Sequence, residues 1–221
     1  MNTLTASPVA EVLARLYADA DQTNAVLRQM FGALSPEERR ARMADASADY
    51  RQFYHRAKDI HMAVSPETGK LLYMLARATR ARGVVEFGTS FGISTIHLAA
   101  ALRDNGGGRV IGSEFEPTKV AHARANLGAA GLADLADIRE GDALETLARD
   151  LPETVDVVLL DGHKGLYPRI LELVAPRLRS GACLVADNAD ASPDYLARVR
   201  APDGGFLSVP FAEDVELSVK I

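Results

Sequence analysis

Asp161, His163 and Lys164 stand within a few positions of one another, directly after the apolar stretch 157–160. A second apolar run, residues 182–186, ends in Asp187 and Asn188. Carboxylate and amide oxygens delivered from two neighbouring strand ends suit a hard divalent cation such as Mg²⁺. Such an ion takes a couple of carboxylates and keeps positions open for other oxygens. A lysine beside a cation and partly out of water gives up its proton more readily, which places Lys164 as a general base. His163 reads equally well as a surface loop residue, and Asp161 by itself as a helix cap. His55, His61, His97 and His122 show no ligand spacing. The single cysteine, Cys183, excludes an intramolecular disulfide framework and a four-cysteine zinc site, and its apolar surroundings read as core.

The elements that must position these groups follow from periodicity. Strands are expected at residues 84–87, 109–114, 136–139, 155–160 and 182–186, with helices at 94–103, 118–130, 143–149 and 167–179 between them. That alternation is the rhythm of βαβ units and a parallel sheet covered on both faces. Residues 206–211 and 215–221 read as two further strands, and the connection 212–214 is too short for anything but an antiparallel hairpin. Before this region, residues 8–60 show no strand. Val9, Val12, Leu13, Leu16 and Tyr17 recur at helical spacing, and Leu27, Met30, Phe31 and Leu34 form a second stripe. A fresh helix start is expected at residues 35–38, followed by the basic cluster Arg39, Arg40 and Arg42, read as a solvated face. The reading is thus a helical extension over residues 1–60, a lid or a dimer interface, and a second region over 61–221.

In open α/β sheets ligands bind beyond the carboxyl ends of the strands. After the first strand, Gly88 and Gly92 bracket Thr89 and Ser90, letting the backbone turn into a helix whose free N–H groups face a ligand. The spacing Gly88-x-Ser90-x-Gly92 departs from the dinucleotide fingerprint, and such a loop also reads as a plain strand-to-helix turn. Glu114 ends the second strand, placed to accept from both hydroxyls of a ribose. Glu116 reads as the solvated loop acid. Gly141, Asp142 and Ala143 end the third strand, small enough to border an adenine, with Asp142 also suited to cap a helix.

These pieces occur in one order: MAVSPETGKLL, VVEFGTSFGIST, VIGSEFEP, EGDALETL, LLDGHKGLY, LVADN and VELSVKI. In that order and spacing, the chain from about Met62 onward resembles the cation-dependent, S-adenosylmethionine-dependent O-methyltransferases of the catechol and caffeoyl-CoA type. The resemblance implies an α/β, Rossmann-like, seven-stranded and mostly parallel sheet, its only antiparallel strand supplied by the C-terminal hairpin. It implies that Glu86, Gly88, Ser90, Gly92 and Ser94 line the methionine part of the cofactor. Glu114 would hold the ribose, and Asp142 and Ala143 would border the adenine. Asp161, Asp187 and Asn188 match the metal ligands, with Asp161 also reaching the cofactor's amino group. Lys164 matches the catalytic base, and Tyr167 a tyrosine of the same motif. The implied reaction is transfer of a methyl group to a hydroxyl of a small phenolic or catechol-like acceptor. Ala189 followed by Asp190 departs from the family pattern after the Asp–Asn pair and alters the charge near the metal.

Composition bounds the rivals. The net charge of −5 argues against a broad nucleic-acid surface. Relatives that methylate a modified uridine in tRNA leave that alternative resting on Arg39, Arg40, Arg42 and Arg51. A nicotinamide-dependent oxidoreductase is disfavoured by the glycine spacing and the paired strand-end acids. A non-catalytic cofactor-binding protein is disfavoured by candidates at every catalytic position. No run approaches the roughly 18 apolar residues of a membrane span, and the N-terminus lacks the pattern of a secretory signal. The expectation is a cytoplasmic homodimer.

Overall fold

The computed structural model describes residues 2–31, 50–211 and 214–221. Its elements are α1 (Val9–Phe31), α2 (Tyr50–Arg56), α3 (Pro66–Ala78), β1 (Gly83–Phe87), α4 (Ile93–Asp104), β2 (Arg109–Glu114), α5 (Pro117–Ala129), β3 (Ala136–Glu140) and α6 (Ala143–Thr146). They continue with β4 (Val155–Leu160), α7 (Tyr167–Val174), β5 (Leu178–Ala186), α8 (Pro193–Arg200), β6 (Phe206–Phe211) and β7 (Val215–Lys220). The sheet order is β3-β2-β1-β4-β5-β7-β6, parallel except for β7, which runs antiparallel to both of its neighbours. This is the seven-stranded, mostly parallel sheet expected from the sequence, with the hairpin returning so that β7 rather than β6 lies against β5. The strand order reverses between β1 and β4, and the crevice at that switch is where an α/β sheet admits a ligand.

Alternation along the central strands builds a core on each face. Val157 and Leu159 of β4 join Val84 and Val110 in one cluster, under Ile96 and Leu98 of α4, Leu72 of α3, and Val9, Leu13 and Leu16 of α1. Val158 and Leu160 face the other way, onto Tyr167, Ile170 and Val174 of α7 and Tyr195 and Val199 of α8. Helix α4 is buried along almost its whole length, because α1 and α3 cover the side that the sheet does not. Leu27, Met30 and Phe31 fall within α1. Leu34, the helix start at 35–38 and the cluster Arg39, Arg40 and Arg42 lie outside the described residues.

Several boundaries differ from expectation for local reasons. Helix α6 ends at Thr146 instead of 149, because the Arg139 guanidinium donates to the carbonyls of Thr146, Arg149 and Asp150. Helix α7 ends at Val174 instead of 179, shortly before Pro176, which has no N–H to continue it. Strand β5 therefore begins at Leu178, earlier than the expected 182. Helix α8, with Pro193 in its first turn, was not anticipated.

The longer β5 completes a polar corner at the opposite end of the sheet. Asp156 accepts from the backbone N–H of Arg82 at 2.7 Å and of Gly83 at 3.0 Å, and pairs with Arg179 Nε at 2.6 Å. Burial pushes its carboxyl up, but these donors outweigh that and hold it below the usual range. A lowered folded-state pKa stabilises the native state above the ordinary carboxylate range of about 4 and loses that contribution as pH falls through it. Asp156→Ala is expected to cost about 1–3 kcal/mol at neutral pH. Urea unfolding would show this as a lower midpoint at unchanged slope, with the gap from the parent chain narrowing as the pH is taken toward 3.

Candidate active site

The register of the central strands sets the site. Phe87 of β1 pairs with Ser113 of β2 and Leu160 of β4, and Leu160 pairs with Ala186 of β5. One residue beyond that row stand Gly88, Glu114, Asp161 and Asp187, all of them candidates from the sequence. The row stays stitched past the strands: Gly88 N donates to Ser113 O, Asp161 N to Phe87 O and Asp187 N to Leu160 O. The Tyr167 hydroxyl, fully buried, donates to the carbonyls of Leu160 at 2.7 Å and Asp187 at 2.8 Å, clamping the ends of β4 and β5 together.

Above this row opens a cavity of about 650 Å³, within the range of small-molecule sites. Gly88, Ser90, Glu114, Asp142, Ala143, Asp161, Lys164, Asp187 and Asn188 line it. Ser94 lines a small side recess next to Ser90. Two expected cofactor residues stay off the wall. Glu86 is fully buried beneath the glycine loop, where its carboxylate accepts from the hydroxyls of Thr89, Ser94 and Thr95 at 2.6–2.8 Å. Burial pushes its pKa up while those hydroxyls oppose the shift. Gly92 caps α4 with φ of 87° and packs it toward Ala123. Both shape the loop from behind.

Gly88 has a different constraint. Its φ is 97°, and a Cβ there would lie 2.5 Å from the Asp161 carbonyl oxygen. The loops after β1 and β4 can touch only because this residue has no side chain. Gly88→Ala is expected to cost about 1–3 kcal/mol in backbone strain alone and to part the two loops. The check is a lower thermal midpoint.

Ser90 also has positive φ, at 49°, and its N–H donates to Glu114 Oε2 at 2.7 Å. Glu114 Oε1 accepts from Glu116 N at 2.9 Å. Each carboxylate oxygen is thereby aimed by one backbone donor and keeps capacity for another. Glu116 is not the solvated loop acid expected: it is 3% exposed, caps α5 and pairs with His55 Nδ1 at 3.0 Å. Asp142 caps α6 through Leu144 N and also pairs with Arg51 Nη2 at 2.8 Å. Arg51 thereby ties α2 to a residue of the cavity wall.

At the β4 and β5 ends, Lys164 Nζ lies 3.1 Å from Asp161 Oδ1. Burial raises the pKa of Asp161, and burial together with Asp161 pushes Asp187 up to about 7. Two half-buried acids close enough to share a proton, beside an amide, form an oxygen donor set whose crowding a divalent cation would relieve. Asn188, with φ of 48°, donates its amide to Asp214 Oδ2 at 2.9 Å. Among the described residues, no cluster of three or more His, Cys, Asp or Glu side chains is gathered for a metal. The donor set here is two carboxylates and one amide.

The rest of the wall went unread in the sequence. Tyr17, Ala20 and Asp21 come from α1, Tyr54 from α2, and Met62 to Pro66 from the segment entering α3. Lys119, in the first turn of α5, also lines the cavity. Its one sequence signal was its place shortly after Glu114, near the strand-end row.

Comparison with known proteins gives three findings. Residues 85–189 match the methyltransferase-domain family. The chain is 36% identical over 130 residues to a catechol O-methyltransferase of Niastella koreensis, covering 58% of each chain. It is 39% identical over 136 residues to a catechol O-methyltransferase of Mycobacterium tuberculosis, covering 62% of this chain and 61% of the relative. The matches thus span less than two thirds of these relatives' own length. Among solved structures, the O-methyltransferase TomG of Streptomyces achromogenes in complex with SAM superposes with a TM-score of 0.65 at 26% identity, over 91% of this chain and 98% of that one.

Proposed function

We propose, for a chain whose residues 85–189 match the methyltransferase-domain family and which is similar over part of its length to catechol O-methyltransferases, that it transfers a methyl group from S-adenosylmethionine to a hydroxyl of a small phenolic or catechol-like acceptor. The observation that carries this reading is the level row of Gly88, Glu114, Asp161 and Asp187 beneath one cavity, with Lys164 Nζ at 3.1 Å from Asp161.

When bound, the cofactor supplies an electrophilic sulfonium methyl, and a divalent cation, Mg²⁺ by its donor set, lowers the pKa of the acceptor hydroxyl. The chain's own residues do the rest. Glu114, its two oxygens aimed by Ser90 N and Glu116 N, accepts from the ribose hydroxyls. Asp142 and Ala143 border the adenine. Gly88, Ser90 and Ser94 surround the methionine part, and Glu86 and Gly92 hold that loop in shape. Asp161, Asp187 and Asn188 hold the cation, and Asp161 also takes the cofactor's amino group. Lys164 Nζ takes the acceptor's hydroxyl proton and releases it to water. By holding both ligands in one cavity, these residues would spare the methyl transfer the entropic cost of a bimolecular encounter.

Helices α1 and α2 serve, in this reading, as the acceptor side of the cavity, since Tyr17, Asp21 and Tyr54 stand on its wall. The exposed Leu207, Val209 and Phe211 on the edge strand β6 support a homodimer. Light scattering would show it as twice the 23.7 kDa chain. Among the described residues no helix is long and apolar enough to cross a membrane. The function is tested by supplying S-adenosylmethionine and Mg²⁺ with catechol, phenol or resorcinol. Turnover on the vicinal diol supports the reading, and absence of methyl transfer to every hydroxylated acceptor tried would overturn it.

A further inference from the structure

Lys119 is a buried cation that forms no ion pair among the described residues. It is 3% exposed, and it lines the cavity. Among the described residues it makes no hydrogen bond or ion pair, and its Nζ stands 5.7 Å from the centroid of the Phe91 ring. Burial lowers its pKa, and the charges of Glu114, Glu116, Asp161 and Asp59 pull the other way from beyond ion-pair range. The nearest of these acids are already engaged. Glu114 accepts two backbone N–H groups, and Glu116 holds His55. Next to Phe91 in the chain, Ser90 lines both the cavity and its side recess, and its hydroxyl is buried without a partner. An ammonium taken out of water and left unpaired is costly, and a protein keeps one where a ligand completes it.

We infer that Lys119, with the Ser90 hydroxyl of the same cavity, binds the α-carboxylate of the cofactor's amino-acid tail. This rests on the cofactor assignment above and extends it to a residue outside the motifs that suggested it. The carboxylate is the one anionic group that S-adenosylmethionine carries at neutral pH. A ribose hydroxyl would satisfy a hydrogen bond but not the charge. A carboxylate does both, and a charge-assisted bond is the stronger kind. The position also suits the path of the ligand. Glu114, in the row at the strand ends, marks the ribose, and the Gly88–Ser90 turn marks the methionine part. Lys119 lines the same cavity from the first turn of the helix that follows Glu114.

The test compares two ligands on two proteins by calorimetry. S-Adenosylhomocysteine carries the tail; 5′-methylthioadenosine has the adenosine half and sulfur but no carboxylate. Lys119→Met is expected to weaken S-adenosylhomocysteine binding roughly 10- to 100-fold, the worth of a hydrogen bond to a charged group, while 5′-methylthioadenosine binds both proteins alike. Lys119→Arg should recover most of the loss. The ligand-free thermal midpoint of Lys119→Met should not fall, since a buried unpaired charge has been replaced by an apolar side chain of similar length. If Lys119→Met folds poorly, Lys119→Gln, which lacks the charge, is read in its place. Unchanged S-adenosylhomocysteine affinity, or an equal loss for both ligands, overturns the assignment of Lys119. A parent protein that binds neither ligand overturns the cofactor reading itself, which separates the two failures.

Discussion

Replacing Lys164 by alanine is expected to lower the turnover number by roughly 10²- to 10⁴-fold, the usual worth of a positioned general base. Affinity for S-adenosylhomocysteine should change by no more than about threefold, because an interaction made in the transition state shows in turnover and not in ground-state binding. The geometry behind this is specific. Lys164 Nζ sits 3.1 Å from Asp161 Oδ1 and 5.3 Å from the centroid of the Tyr167 ring, so two neighbouring side chains fix where the amino group can go. The residual rate of the variant should climb with pH as the acceptor ionises unaided. A variant that loses turnover and cofactor affinity in equal measure would show that Lys164 organises the pocket and does not move the proton.

Asp187→Ala is the second large effect. It removes one of two crowded carboxylates, and activity at moderate Mg²⁺ is expected to fall about 10²-fold or more, the several kcal/mol that a cation at a developing oxyanion supplies. Raising the Mg²⁺ concentration should recover part of it, and chelation of the parent protein should abolish activity until the ion is returned. Stability should move differently. Asp187 sits half-buried beside Asp161 with its pKa pushed up to about 7, so the metal-free variant should melt no lower than the parent. Groups held together for function at the expense of stability behave in this way. An Asp187→Ala protein with full activity in chelator would remove the cation from the account.

The strand-end row was legible because its signal is local. An apolar run that stops in Asp161 and another that stops in Asp187 carry their chemistry in the same few residues that form the strand. The boundaries of β2, β4 and β6 were readable for the same reason. What escaped reading depends on partners far along the chain. Helix α6 is short because Arg139, on the preceding strand, takes the carbonyls that a longer helix would have used. Glu116 looked like a loop acid until His55, 61 residues earlier, was seen to meet it. The stripe of Val9, Leu13 and Leu16 announced an amphipathic helix, but such a pattern says which side is apolar and not what it covers. In the fold it shares a core with α4 and the sheet. Lys119 was invisible for a related reason: on a helix read from its sequence, a lysine in the first turn is a solvated charge. Only the packing of Phe91 and the cavity wall around it shows that this one is buried.

The central claim is that this cavity holds S-adenosylmethionine, and the most direct measurement is a calorimetric titration of the protein with S-adenosylhomocysteine, run with Mg²⁺ and again after chelation. The account predicts saturable binding at one site per chain, with an affinity that responds to the metal because Asp161 serves both. No heat and no saturation in either condition would contradict it.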